Sequence, residues 1–157
     1  MVGTDMQHEA LAPIQFVVRL FLALGLGALI GLERQVRNHE GGLKTNALVA
    51  MGSAMFVMMA QTFGTPDRIV GQILPGIGFL GAGMIMRDGL HVRGLNTAAT
   101  MWCAAAIGTL VGAGERALPA LAAVTVVVAN VVLRELAVWI DKKHAASGVK
   151  EGSTTGQ

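Results

Sequence analysis

Apolar residues fall into five runs along the chain, each about as long as a bilayer-crossing helix, with the polar residues gathered between them. That pattern predicts helices over Ile14 to Leu32, Leu43 to Phe63, Ile69 to Met86, Leu95 to Gly112, and Ala117 to about Trp139. A hydrocarbon core of ~30 Å asks for about 20 apolar residues in helical form. The connections are short and leave no room for a soluble catalytic domain. The expected fold class is therefore all-α, a polytopic membrane protein of about five transmembrane helices over residues 14–140. Residues 1–13 hold Asp5, His8 and Glu9 but neither Lys nor Arg, so they lack the basic start of a cleavable signal. Residues 141–157 are expected to form a short tail, Gly-, Ser- and Thr-rich from Ser147 onward and disordered.

Composition agrees. Hydrophobic residues make up 53% of the 157 and Asp, Glu, Lys and Arg only 14%, against about 25% charged in soluble domains. With one Cys, a disulfide scaffold is excluded. The net charge of +2 does not indicate nucleic acid, because the cations are not clustered and aromatic residues are only 4%, with no Tyr for base stacking. The cations set topology instead. Arg34, Arg37, Lys44, Arg87, Arg93, Arg134, Lys142, Lys143 and Lys150 share one side of a five-span chain, with Arg68 and Arg116 on the other. This bias places the N-terminus outside and the C-terminus in the cytoplasm. Arg19 lies inside the first run, near enough to its end to snorkel to the headgroups.

Gly42-Leu43-Lys44-Thr45 recurs as Gly94-Leu95-Asn96-Thr97, each copy opening an apolar run after a basic connection. Gly25-Leu26-Gly27 loosely matches Gly76-Ile77-Gly78 upstream. The pattern is that of two parallel hairpins plus one extra helix. Small residues mark packing faces: Gly27 and Gly31 in the first run, Gly78 and Gly81 in the third, Gly108 and Gly112 in the fourth. A homodimer is expected through such a face, at Gly27 or Gly108. In the third run Pro75 and the glycines around it admit either a broken helix or one thinned for its neighbours. Gly76 to Gly81 spells a dinucleotide-binding fingerprint, but it lies within an apolar run with no strand before it.

Glu33 and Asp88 each follow a Gly-rich run inside an Arg-rich connection, and Thr45, Asn46, Asn96 and Thr97 open the runs that follow. Oxygen ligands of this kind suit magnesium, so Glu33 and Asp88 are candidate metal ligands. The competing expectation is that both carboxylates pair with nearby arginines. Asn130 lies at depth in the fifth run, where an amide seeks a partner on another helix. Cys103 is a lone thiol in the fourth run. No nucleophile–base set or other catalytic motif is present, and no cofactor is expected beyond that candidate magnesium.

Gly31-Leu32-Glu33-Arg34-Gln35, Gly42-Leu43-Lys44-Thr45, the stretch from Gly76 to Gly83 and the stretch from Arg93 to Cys103 together resemble the MgtC/SapB family of bacterial inner-membrane proteins. The resemblance covers roughly residues 14 to 135. It implies about five spans and a link to magnesium homeostasis, stress and survival inside macrophages. It further implies action on a membrane partner, the ATP synthase, more than transport. By the same resemblance Asp88, Asn96 and Cys103 are functionally sensitive, with Glu33 and Arg34 in a shared motif. The alternative is a magnesium or proton path ending at Glu33 and Asp88. Many members carry a cytoplasmic domain after the fifth span; residues 141–157 are too short to form one, so a membrane-embedded role is expected.

Overall fold

The computed structural model describes residues 13–37 and 41–151, with all their side chains except those of Asp88 and residues 145–151. Five helices account for most of this: α1 (Pro13–Val36), α2 (Leu43–Thr62), α3 (Pro66–Met84), α4 (Leu95–Ala113) and α5 (Ala117–Glu151). Between α3 and α4 lies a two-stranded antiparallel hairpin, β1 (Met86–Asp88) with β2 (His91–Arg93). Gly89, at φ 59°, takes the first position of its two-residue turn. The protein is an all-α polytopic membrane protein. Large apolar side chains face outward along its helices, Phe21 at 67% and Phe79 at 80% exposure among them, a surface suited to lipid and not to water.

The apolar runs end where backbone chemistry stops them. After α2 the Thr65 N–H bonds back to the Ala60 carbonyl and the Gly64 N–H to that of Gln61; after α4 Glu115 and Gly114 do the same with Leu110 and Val111. Both ends thus close in the same two-bond C-terminal motif. Gly42 and Gly94 of the recurring tetrapeptides precede α2 and α4 directly. Gly94 has φ +88°, and a Cβ there would collide with the Met84 carbonyl, so the chain turns from the β-hairpin into α4 only through glycine.

Small residues set the packing. A Cβ on Gly27 would lie 2.5 Å from the Asn46 carbonyl oxygen, one on Gly31 2.6 Å from the Leu43 Cα, and one on Gly112 2.7 Å from the Ala54 carbonyl oxygen. A Cβ on Gly108 would collide with the Ala50 carbonyl. These neighbours show that α1 runs antiparallel to α2 and α4 parallel to it, with α2 held between them. Small residues make up much of its buried surface, on more than one side: Ala47, Ala50, Ser53, Ala54 and Ala60, beside the larger Val49, Val57 and Met58. Lipid supplies no hydrophobic drive between helices, so this close approach of backbones carries much of the association.

Three expectations are revised. Gly27 and Gly108 lie inside the monomer, so the dimer face placed on them is not available. Gly78 meets nothing within 4 Å, and in α3 it is Ile77 and Gly81 that turn inward, with Gly81 at 3.4 Å from the Ala98 Cβ. The Gly25-to-Gly27 and Gly76-to-Gly78 stretches are therefore not equivalent in packing. Pro75 lies inside a continuous α3 with no break. Because α2 and α4 are parallel, α3 must recross the bundle, and its 19 residues reach about 28 Å. Among the described residues four helices are long and apolar enough to span by composition; α3, diluted by Asp67, Arg68 and Gln72 as well as by Gly and Pro75, is not among them. Finally, α5 runs on to Glu151 through residues expected to be tail. Lys142, Lys143 and Ala145 to Ala146 are compatible with helix once an apolar run has nucleated it.

Gly108→Ala should lower the detergent-solubilised stability by about 1–3 kcal/mol, the usual cost of overpacking, whereas Gly78→Ala should stay within about 1 kcal/mol of the parent. Thermal unfolding followed by circular dichroism separates the two.

Candidate functional site

Arg34 is the centre of the polar interior. It ends α1 one turn beyond Ile30, and packing of α1 against α4 carries it into the bundle, where it is 4% exposed. Its Nη2 donates to Thr97 Oγ1 at 2.6 Å and its Nη1 to Thr100 Oγ1 at 3.1 Å, with the Asn96 carbonyl at 3.4 Å. Thr100 Oγ1 donates in turn to the Asn96 carbonyl at 2.7 Å. Thr97 and Thr100 are three residues apart and so share one face of α4. A buried guanidinium is tolerated only where acceptors meet it, and this pair of hydroxyls does so.

Arg19 makes a matching link at the other end of α1. Its Nη1 donates to the Gly112 carbonyl at 2.9 Å, with Gln61 Oε1 at 3.4 Å. It does not snorkel outward: the last turn of α4 leaves carbonyls unpaired and carries partial negative charge, which attracts the cation. Two arginines on one helix thus clamp the two ends of another.

Around Arg34 opens a cavity of about 520 Å³ between α1, α4 and α5. It brings together Glu33, Arg34, Asn96 and Cys103, four residues the sequence motifs singled out, and adds Arg37, Asn130 and Arg134. Glu33 Oε1 sits 2.8 Å from Arg37 Nε, an i,i+4 pair, and Arg37 Nη1 lies 3.8 Å from Glu135 Oε1. The expectation of local pairing is thus met for Glu33. The Asp88 backbone pairs with His91 across the β-hairpin, and its side chain lies outside the described residues. Among the described residues no three His, Cys, Asp or Glu side chains come together to hold a metal ion. Asn46, expected beside the site, instead ties the loop before α2 to that helix, its Nδ2 donating to the Gly41 and Gly42 carbonyls at 2.6 and 3.0 Å.

Toward the other end of the bundle the cavity stops at an apolar layer. Ile30, Ile107 and Ala123 are buried together, with Leu26, Val126 and Val127 packed on them. Three of these lie about one turn from a polar residue of the cavity: Ile30 from Arg34, Ile107 from Cys103, Val126 from Asn130. The sequence motifs did not point to Thr100 or Arg134 as part of the site. For Thr100 the signal was present as Thr97-x-x-Thr100 on one face of an otherwise apolar helix.

This geometry lies within the region where the comparisons converge. The family model for the MgtC family matches residues 20–139. The chain belongs to the MgtC family. Protein MgtC of Salmonella typhimurium is 49% identical over 137 residues, which is 86% of this chain and 59% of that protein. Protein MgtC of Brucella abortus is 52% identical over 114 residues, 71% of this chain and 48% of its own. An uncharacterized protein of Synechocystis is 48% identical over 128 residues, covering 80% and 55%. The chain therefore spans about half to three-fifths of these MgtC relatives. No solved structure matches it.

Thr97→Val with Thr100→Val removes two acceptors from a guanidinium that stays buried, and should cost about 3 kcal/mol. Adding Arg34→Met, which removes the charge and keeps the bulk, should restore most of that loss; chemical denaturation in detergent measures both.

Proposed function

We propose that the chain is an MgtC-type regulatory protein of the bacterial inner membrane, which binds a membrane partner and catalyses no reaction. Its N-terminus lies outside and its C-terminus in the cytoplasm, a reading supported by the crowding of basic residues at one end. The partner that the family resemblance implies is the ATP synthase, and the setting is magnesium homeostasis, stress and intracellular survival. The observation that carries the proposal is the apolar layer of Ile30, Ile107 and Ala123. An ion path would need polar groups or water across the whole bilayer, and among the described residues the polar groups of the cavity end beneath that layer, which separates them from the Arg19 and Gln61 pair beyond it. A binding protein needs no such path. A second copy is a further proposed partner, and α3 supports it: Gly71, Gly76 and Gly78 present faces with nothing within 4 Å.

Co-reconstituting the chain with purified ATP synthase tests the proposal. ATP-driven proton pumping should fall as the chain is added, and vesicles holding the chain alone should pass neither protons nor magnesium. Unchanged pumping would overturn the regulatory reading, and flux through the chain alone would replace it with transport.

A further inference from the structure

The cavity between α1, α4 and α5 holds more donors than acceptors. Arg34, Arg37 and Arg134 face it against one carboxylate, Glu33. Glu33 is paired to Arg37, the exposed Glu135 reaches Arg37 only at 3.8 Å, and Arg34 is engaged by the α4 hydroxyls. Two donors remain on α5. Asn130 Nδ2 is sealed from solvent and has no acceptor among the described residues. Arg134 forms no ion pair among them. Four residues apart, the two project from one helix face into the same space. What fits there must bring negative charge and several acceptor oxygens, and a phosphoryl group does both.

The other walls narrow the source. Val126, Leu133 and Ala137 of α5 make one side apolar, and the exposed Val132 and Leu136 continue that helix as a lipid-facing surface. Arg134 lies within two turns of Trp139, which stacks under the Lys143 ammonium at 5.3 Å, an arrangement typical of the headgroup level. Basic pockets between membrane helices at that level are suited to anionic headgroups, and about 520 Å³ is within the usual range for a small-molecule site.

We infer that this cavity binds a phosphoryl group through Arg134 and Asn130, and that an anionic phospholipid carries it. The inference does not depend on which protein partner the chain regulates.

The test is a thermal-shift titration of the whole chain in detergent with phosphatidylglycerol, phosphatidylcholine and inorganic phosphate. It is repeated for Arg134→Gln, Asn130→Leu and, as a control for surface charge, Lys142→Gln with Lys143→Gln. Phosphatidylglycerol should stabilise the parent and phosphatidylcholine should not. Arg134→Gln and Asn130→Leu should each weaken the effect about tenfold, the loss of one charge-assisted hydrogen bond, while the Lys pair should change it less than about twofold. Arg134 is exposed, so its variant should fold normally. Equal stabilisation by both lipids, or an unaltered response in Arg134→Gln and Asn130→Leu, would overturn the inference. Stabilisation by inorganic phosphate alone, lost in Arg134→Gln, would keep the phosphoryl site and overturn its lipid source.

Discussion

How closely α1 and α4 can lie on α2 decides the rest of the molecule. Gly108 rests on the Ala50 carbonyl and Gly27 on that of Asn46, so backbones touch where side chains would otherwise keep the helices apart. In lipid this contact stands in for the hydrophobic drive that folds soluble bundles. It also fixes register. With Gly27 and Gly108 both seated against the first half of α2, α1 and α4 are antiparallel neighbours, and Arg34 falls beside Thr97 and Thr100 while Arg19 falls beside Gly112.

That register gives α1 two unlike ends. At Arg19 the cation meets carbonyls at a helix C-terminus, an arrangement that the backbone dipole favours. At Arg34 the guanidinium lies by the first turns of α4, where the dipole opposes it and hydroxyl acceptors must compensate. An electropositive helix end and a cluster of arginines at one place make the cavity attractive to anions and unwelcoming to cations. The same arrangement argues against a magnesium site at Glu33, whose carboxylate is held by Arg37 at 2.8 Å. Beneath the cavity Ile30, Ile107 and Ala123 close the bundle.

Much of the fold was legible because lipid imposes a simple rule: a long apolar run must become a helix to satisfy its backbone. Helix limits such as Leu43 and Leu95 follow from that rule together with the glycine before each. What depends on a neighbour was not legible. Arg19 was expected to snorkel because, with α1 considered alone, the nearest polar partner is the headgroup layer; the Gly112 carbonyl comes from a helix 93 residues away in sequence. Gly27 and Gly78 look alike in sequence and differ in what lies opposite them. Pro75 sits in an unbroken helix, a choice between two outcomes that local sequence left open. Of the site, the motifs marked Glu33, Arg34, Asn96 and Cys103, which the cavity does gather. Thr100 could have been read from its spacing to Thr97, whereas Arg134 needed the packing of α5 to be seen.

Cys103, the chain's one cysteine, lines the polar cavity one turn from Ile107, and it can report directly whether that cavity is closed at its apolar end. Membrane-impermeant thiol reagents would be applied to oriented vesicles from one face and then the other, with Cys103→Ser as the blank. Labelling should occur from the basic end alone. Labelling from both faces at comparable rates would mean a water-filled route past Ile30, Ile107 and Ala123, and would contradict a binding protein with a closed cavity.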